Sequence, residues 1–170
     1  MADHRADPLP VAAPARLPGD ALLRPIALVS LGLLLLNDHV LKAAYPGLLT
    51  GKLSDAAGMV LMPIVLWSAA ELLLAALGRW RGPSPGGIAV ATLVTGLAFA
   101  SIKLVPGAAL GAGWVLGAAQ WSLGLFVRLA AGDAIGSIAP TAIVVDPTDL
   151  LALPCLLIAV WIGRQRLAAR

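Results

Sequence analysis

Apolar residues dominate five stretches of the chain, and polar residues are concentrated between them. These stretches cover residues 24–41, 56–77, 88–105, 114–131 and 150–163. Each approaches the roughly 20 residues that a helix needs to cross a membrane. A shorter apolar stretch, 134–145, is interrupted by Gly136 and Pro140, which suits either a re-entrant half-helix or a thin span. The pattern predicts an all-α, polytopic transmembrane bundle of four to six segments with short loops.

Composition supports a membrane protein over a soluble one. Hydrophobic residues make up 59% of the chain and charged residues 12%, whereas soluble domains are about half apolar and about a quarter charged. The net charge of +3 resides in short flanks of apolar stretches, which is typical of topology signals and not of a nucleic-acid surface. We therefore expect membrane lipids as partners, with no nucleic acid and no cofactor; the oligomeric state stays open.

The N-terminal residues differ from the rest of the chain. Residues 1–20 contain four prolines among Ala, Asp and Arg, too little apolar surface to order the segment. We expect a disordered cytoplasmic tail there and a transmembrane domain over residues 21–170. No small-residue cleavage site follows the first apolar stretch, so it should be retained as a span.

Lysines and arginines are sorted along the chain. The lysines are Lys42, Lys52 and Lys103, whereas arginines flank the N-terminus, the 79–81 loop and the C-terminus. The positive-inside rule places these arginines in the cytoplasm, which requires an even number of crossings. Four crossings with 105–145 as an incomplete excursion satisfy the rule, as do six, the number we favour. We expect a multi-pass protein with a cytoplasmic N-terminus.

A polar stretch at residues 36–59, LNDHVLKAAYPGLLTGKLSDAAGM, lies between the first two apolar segments. By the same topology, Lys103 and the later aspartates fall on the non-cytoplasmic side with it. The sequence therefore predicts one polar cluster of three lysines and four aspartates. Its aspartates are Asp38, Asp55, Asp146 and Asp149.

Local structure offers a simpler interpretation of the same residues. Asp38 and Lys42 are spaced i,i+4 and Lys52 and Asp55 are spaced i,i+3, so each pair could bridge along one helix. Ser54 or Thr50 could cap the second helix. The sequence Asp146-Pro147-Thr148-Asp149 fits an N-cap, a first-turn proline and an acidic N3 residue. Capping alone does not explain why these groups share one side of the membrane.

Other polar and small residues suggest further roles. His39 with aspartates could bind a hard cation, but the nearby lysines argue against this, and we predict no metal. Glu71 could relay protons or pair with an arginine such as Arg79. Several glycines should let helices approach closely: Gly58, Gly96, Gly111, Gly113 and Gly117.

Three strings carry a resemblance to known proteins: NDHVLK, LTGKLSDAAGM and DPTDLLALP. They resemble small bacterial membrane proteins that pair a GKLSDxxG motif with a late DPTDL motif. More distantly, Lys52 to Gly58 followed by Asp149 is similar to the VanZ-like family. The resemblance implies a helical protein of the bacterial inner membrane, connected with glycopeptide tolerance and the cell envelope.

Three functions are compatible with this pattern. In the first, Lys42, Lys52 and Lys103 recognise an anionic lipid or an envelope-precursor phosphate. If the cluster is an enzyme site, Asp55 and Asp149 are the catalytic candidates for proton transfer. The binding candidates are Asp38, His39, Lys42, Lys52, Ser54, Lys103 and Asp146. The second function is transport of protons, ions or small solutes along Asp55, Lys103, Asp149 and Glu71. The third is a structural or assembly subunit of a membrane complex.

Overall fold

The computed structural model describes residues 16–168 and is all-α over that range. A 3₁₀ turn at Asp20–Leu23 precedes five long helices, each long and apolar enough to cross a membrane. They are α1 (Pro25–Ala44), α2 (Leu48–Ala76), α3 (Pro85–Leu104), α4 (Pro106–Ala131) and α5 (Pro147–Ala168). The predicted fold class is confirmed.

Prolines begin four of the five helices. Pro25, Pro85, Pro106 and Pro147 occupy first-turn positions, where the missing N–H has no helical partner to lose and the fixed φ favours a helix. The exception, α2, begins at Leu48 after Gly47, eight positions before the predicted apolar stretch. Its first turns therefore include the polar residues Lys52, Ser54 and Asp55.

The core lies among α1, α2, α3 and α5, with α2 in contact with each of the other three. Ile64 and Trp67 of α2 pack with buried residues of the other helices. Glycines bring α3 and α5 together: a Cβ on Gly163 would lie 2.8 Å from Ile88, and one on Gly96 would lie 3.0 Å from Leu156. The prediction for Gly96 is confirmed, since close helix approach requires a small residue there.

The outer surface of the bundle is apolar. Large hydrophobic side chains such as Leu28, Leu93 and Phe126 are more than half exposed on α1, α3 and α4. Soluble proteins rarely expose apolar surface on this scale, whereas the hydrocarbon layer of a membrane accommodates it. Together with the five apolar helices, this surface is that of an integral, multi-pass membrane protein.

Residues 133–146 correct the prediction of a sixth helical segment or half-helix. They contain no helix and run back along α4, so we call them the return segment. The Thr141 N–H donates to the Gly113 carbonyl at 3.0 Å, and Trp121 Nε1 donates to the Gly136 carbonyl at 2.6 Å. Gly136 and Pro140 disfavour a helix, and contacts with α4 satisfy part of the extended backbone instead.

Glycines on α4 make room for the return segment. A Cβ on Gly117 would overlap the Ala139 carbonyl oxygen, and one on Gly113 would lie 2.5 Å from that of Thr141. The predicted close approach at these two glycines is therefore real, but the partner is an extended backbone and not a helix. The prediction was wrong for Gly58 and Gly111, which have nothing within 4 Å of a Cβ.

The helix order gives the bundle two distinct ends. At the lysine end, α1 and α3 finish and α2 and α5 begin, which gathers Lys42, Lys52 and Lys103. Since α4 and the return segment leave from Lys103 and come back to Asp149, 2.7 Å away, this part of the chain begins and ends at the lysine end. At the opposite, arginine end lie Arg24, the 79–81 loop and Arg166.

The start of the described chain contacts the arginine end. The Gly19 N–H donates to Glu71 Oε2 at 2.9 Å, and the Leu17 carbonyl accepts from Arg166 Nη2 at 3.0 Å. Of the tail predicted for residues 1–20, residues 1–15 lie outside the described residues. From Leu17 onward the chain contacts the bundle.

Candidate functional site

The first group of the candidate site is a network of Lys52, Lys103, Asp55 and Asp149, which we call the lysine–aspartate network. Asp149 Oδ1 lies 3.1 Å from Lys52 Nζ, and Asp149 Oδ2 lies 2.7 Å from Lys103 Nζ. Lys103 Nζ lies 3.6 Å from Asp55 Oδ2 and 5.6 Å from the centre of the Phe99 ring. One carboxylate thus bridges two ammonium groups, and the network joins α2, α3 and α5.

The N-terminus of α5 positions Asp149. Asp146 caps the helix, because its Oδ1 accepts from the Thr148 N–H and from Thr148 Oγ1, both at 2.8 Å. Pro147 occupies the first helical position, and the first nine residues of α5 form a 3₁₀ helix. Thr148 Oγ1 in turn accepts from Lys52 Nζ at 2.8 Å. The predicted cap is confirmed, and its N3 carboxylate also binds both lysines.

A second polar group lies beside this network, where α1 meets α2. Asn37 is fully buried, and its Nδ2 donates to the Thr50 carbonyl and to Ser54 Oγ, both at 2.6 Å. Ser54 Oγ donates to Asp38 Oδ1 at 2.6 Å, and Asp38 pairs with Lys42 at 2.7 Å. Ser54 and Asp55 are neighbours on α2, so the two groups adjoin.

A π-helical turn at Asn37–Leu41 brings consecutive α1 residues to the same partner. The Lys42 N–H donates to the Asn37 carbonyl, an i→i+5 bond that widens the helix. Asn37 and Asp38 both reach Ser54 from this turn. Turns of this kind are rare and frequently mark functional sites. Asn37 Oδ1 is buried and accepts no hydrogen bond.

Two of the local predictions for this region were wrong. Lys52 and Asp55 do not bridge each other along α2; Lys52 pairs with Asp149 and Asp55 pairs with Lys103. Neither Thr50 nor Ser54 caps α2, because the helix begins at Leu48 after Gly47, with no side-chain cap, and both residues lie inside it. The i,i+4 pair of Asp38 and Lys42 is confirmed.

The structure locates the remaining candidates as follows. The Asp146 side chain reaches the lysine–aspartate network through Thr148, and His39 is exposed next to Asp38. Within residues 16–168, no group of three or more His, Cys, Asp or Glu side chains is placed to hold a metal ion. Thr148 and Phe99 contact the lysines but were not predicted. The DPTD motif contained Thr148, whereas nothing in the sequence pointed to Phe99.

An apolar groove opens next to the lysine–aspartate network, between α2 and α3. It begins at Ser54 and Asp55 with a cavity of about 290 Å³. Its other lining residues are apolar apart from Thr95, and they include Gly58, Met62 and Phe99. The Thr95 hydroxyl donates to the carbonyl of Ala91 in its own helix. The groove therefore has a charged end and an apolar length.

The arginine end holds a second ionic network, made of Glu71, Arg166 and Asp20. Arg166 Nη1 and Nη2 bind the two Glu71 oxygens at 2.7 and 2.9 Å, and Arg166 Nε lies 2.5 Å from Asp20 Oδ1. The guanidinium also stacks over Trp67, 4.6 Å from the ring centre. The prediction that Glu71 could pair with an arginine is confirmed, but its partner is Arg166 and not Arg79.

Protein-family models, curated proteins and solved structures yield no match to this chain. The likeness to the VanZ-like family therefore stays a prediction from the motifs. What the fold establishes is the class, an α-helical integral membrane protein with an ionic network at each end of its bundle.

Proposed function

We propose that the lysine end recognises the phosphate group of a membrane lipid or lipid-linked envelope precursor, with Lys52 and Lys103 as the phosphate ligands. The observation that carries the proposal is the position of the lysine–aspartate network at the charged end of an apolar groove. A molecule with a phosphate and a hydrocarbon chain matches this groove, because it too has a charged end and an apolar length. The resemblance of the motifs to the VanZ-like family, and the cell-envelope role that this resemblance implies, agree with the proposal.

The charges in the network decide how a phosphate would enter. Two lysines face two aspartates, so the four side chains carry no net formal charge and present no free anion site. An ammonium has three hydrogen-bond donors, and Lys52 uses two of them to bind Thr148 and Asp149. A phosphate therefore takes the third donor of Lys52 and competes with Asp149 for Lys103. Asp55 and Asp149 hold the two lysines in place between binding events.

Exposure also favours Lys52 as the first contact. Its side chain is 32% exposed, against 14% for Lys103. Lys42 is outside the lysine–aspartate network and is held by Asp38 on its own helix. We therefore assign the phosphate to Lys52 and Lys103, and give Asp38, Ser54 and Asn37 the role of fixing α1 against α2.

Binding of phosphatidic acid and diacylglycerol to the purified protein tests this proposal. The two lipids share their chains and differ in the phosphate, so native mass spectrometry should show preferential binding of phosphatidic acid. Replacing Lys52→Gln should weaken that binding about tenfold, the value of a charge-assisted hydrogen bond. Gln keeps a donor for Thr148, so the fold should be retained.

Arg164→Gln provides the charge-matched control. Arg164 is exposed on the last turns of α5, at the arginine end, so its loss should leave phosphatidic acid binding unchanged. Equal binding of the two lipids, or equal loss in the two variants, would contradict recognition by the lysine end.

A structural function is the second candidate, and the charge balance of the lysine–aspartate network favours it. Asp149 connects α5 to α2 and α3 through two lysines, and such ion pairs between helices can hold the bundle together. The same binding experiment separates the two functions, because a purely structural network predicts no preference for phosphatidic acid over diacylglycerol. A transport path is less well supported: Glu71 is bound by Arg166, and the groove toward it is lined mainly by apolar residues.

A further inference from the structure

Gly58 is an unusual residue for its position in α2. Glycine in a helix interior costs about 1 kcal/mol relative to alanine, and membrane helices usually retain it where another element packs closely. At Gly58 nothing lies within 4 Å of a Cβ position. What lies over it is the groove between α2 and α3, since Gly58 lines the cavity that begins at Ser54 and Asp55.

The groove continues along the bundle from that cavity. A second cavity of about 410 Å³ shares Leu66 and Val94 with the first and extends to Ala70 of α2 and Gly86 of α3. From Asp55 to Ala70 the groove spans about 22 Å at 1.5 Å per residue. Half of a hydrocarbon layer is about 15 Å thick, so the groove is longer than one leaflet.

The groove and the lysine–aspartate network meet at Asp55. Its carboxylate pairs with Lys103, and its side chain lines the first cavity. Phe99 lies under the Lys103 ammonium and lines the same cavity. A hydrocarbon chain lying over Gly58 would thus bring an attached phosphate to the ammonium groups of Lys103 and Lys52, which can donate to it in competition with the aspartates.

We propose that the groove between α2 and α3 binds the hydrocarbon chain of the phosphate lipid, and that the absence of a side chain at Gly58 makes room for this chain. This inference rests on the proposed function and names its substrate class: a phosphate lipid recognised by chain as well as by head group. A free phosphate would contact only the lysines, and a short-chain phosphate lipid would leave most of the groove unfilled.

Gly58→Leu tests the inference, because the new side chain fills the groove and meets no protein atom at its Cβ. Long-chain phosphatidic acid should bind the variant about tenfold more weakly than the wild type, equivalent to about 1.4 kcal/mol. Short-chain phosphatidic acid should bind both proteins equally. Gly111→Leu is the matched control: its Cβ also meets nothing within 4 Å, but it lies on α4 outside the groove.

Val94→Phe fills the groove from α3, on the side opposite Gly58. Val94 is half exposed and lines both cavities. This substitution should reproduce the loss for the long chain. Unchanged long-chain binding in both Gly58→Leu and Val94→Phe would overturn the chain site. If Lys52→Gln still weakened binding in that case, the phosphate site would stand without it; if Lys52→Gln had no effect on either lipid, the proposed function would itself be wrong.

Discussion

The two ionic networks of this protein resemble each other in residue type but differ in access. At the arginine end, the side chains of Arg166 and Glu71 are 1% and 5% exposed, and the guanidinium binds Glu71 through two parallel hydrogen bonds. At the lysine end, the side chains of Lys52 and Asp55 are 32% and 20% exposed and adjoin a groove. Similar chemistry thus serves a closed junction at one end and an open surface at the other.

The closed network has the features of a structural junction. Arg166 binds Glu71 of α2, Asp20 and the Leu17 carbonyl, and stacks on Trp67. It therefore ties α5, α2 and the start of the described chain together. Asp55 and Glu71 lie about 24 Å apart along α2 at 1.5 Å per residue, close to the thickness of a hydrocarbon layer. Their spacing thus suits one network near each boundary of that layer.

The largest expected effect is the removal of Arg166. Arg166→Met leaves the buried Glu71 carboxylate without its cation, and breaking a buried pair in this way costs about 3–5 kcal/mol. The free energy of unfolding in detergent micelles, from denaturant titration, should fall by that amount. Arg164→Met, two residues earlier and exposed, should change it by less than about 0.5 kcal/mol.

A second substitution sharpens this result. Glu71→Leu combined with Arg166→Met removes both charges of the pair and should recover much of the loss, because apolar pairs often replace buried ion pairs without penalty. No recovery would mean that the contacts of Arg166 with Asp20 and Leu17 contribute most of the stability, and that the pair with Glu71 is secondary.

A smaller effect is expected at Asp149. Asp149→Asn removes the charge that two lysines share while keeping the shape, and the lost charge-assisted bonds predict a fall of about 1–3 kcal/mol in unfolding free energy. Asp38→Asn disturbs a pair whose side chains are both more than 40% exposed, so its effect should stay below about 1 kcal/mol. A loss at Asp149 as large as that at Arg166 would show that the lysine end is itself a structural junction.

The sequence predicted those features that depend on local pattern. The apolar stretches predicted the helices, the arrangement of lysines and arginines predicted two unlike ends, and the DPTD motif predicted the start of α5. It placed the start of α2 too late, because the apolar stretch begins only at residue 56 and the cap was predicted at Thr50 or Ser54, whereas the helix begins at Leu48 and includes Lys52, Ser54 and Asp55. Their side chains find partners on α1, α3 and α5, and these tertiary contacts allow the helix to include them.

Partner choice was the part that local spacing could not determine. Lys52 could have paired with Asp55 or with Asp149, and Glu71 could have paired with Arg79 or with Arg166. In each case the structure selects the distant residue, because helix packing brings it into a better position than the neighbour along the chain. The return segment was mispredicted for a related reason: its contacts with Gly113 and Gly117 depend on α4.

The most direct test compares variants of the two networks by one measured quantity. This quantity is the shift in melting temperature that phosphatidic acid causes relative to diacylglycerol. Lys52→Gln should melt within a few degrees of the wild type without lipid, as expected for a partly exposed pair worth about 1 kcal/mol or less, but should lose most of the lipid-dependent shift. Glu71→Gln should melt clearly lower and keep the shift. If Lys52→Gln instead kept the full shift, or if both variants lost it in proportion to their stability, the lysine end would not be a lipid recognition site.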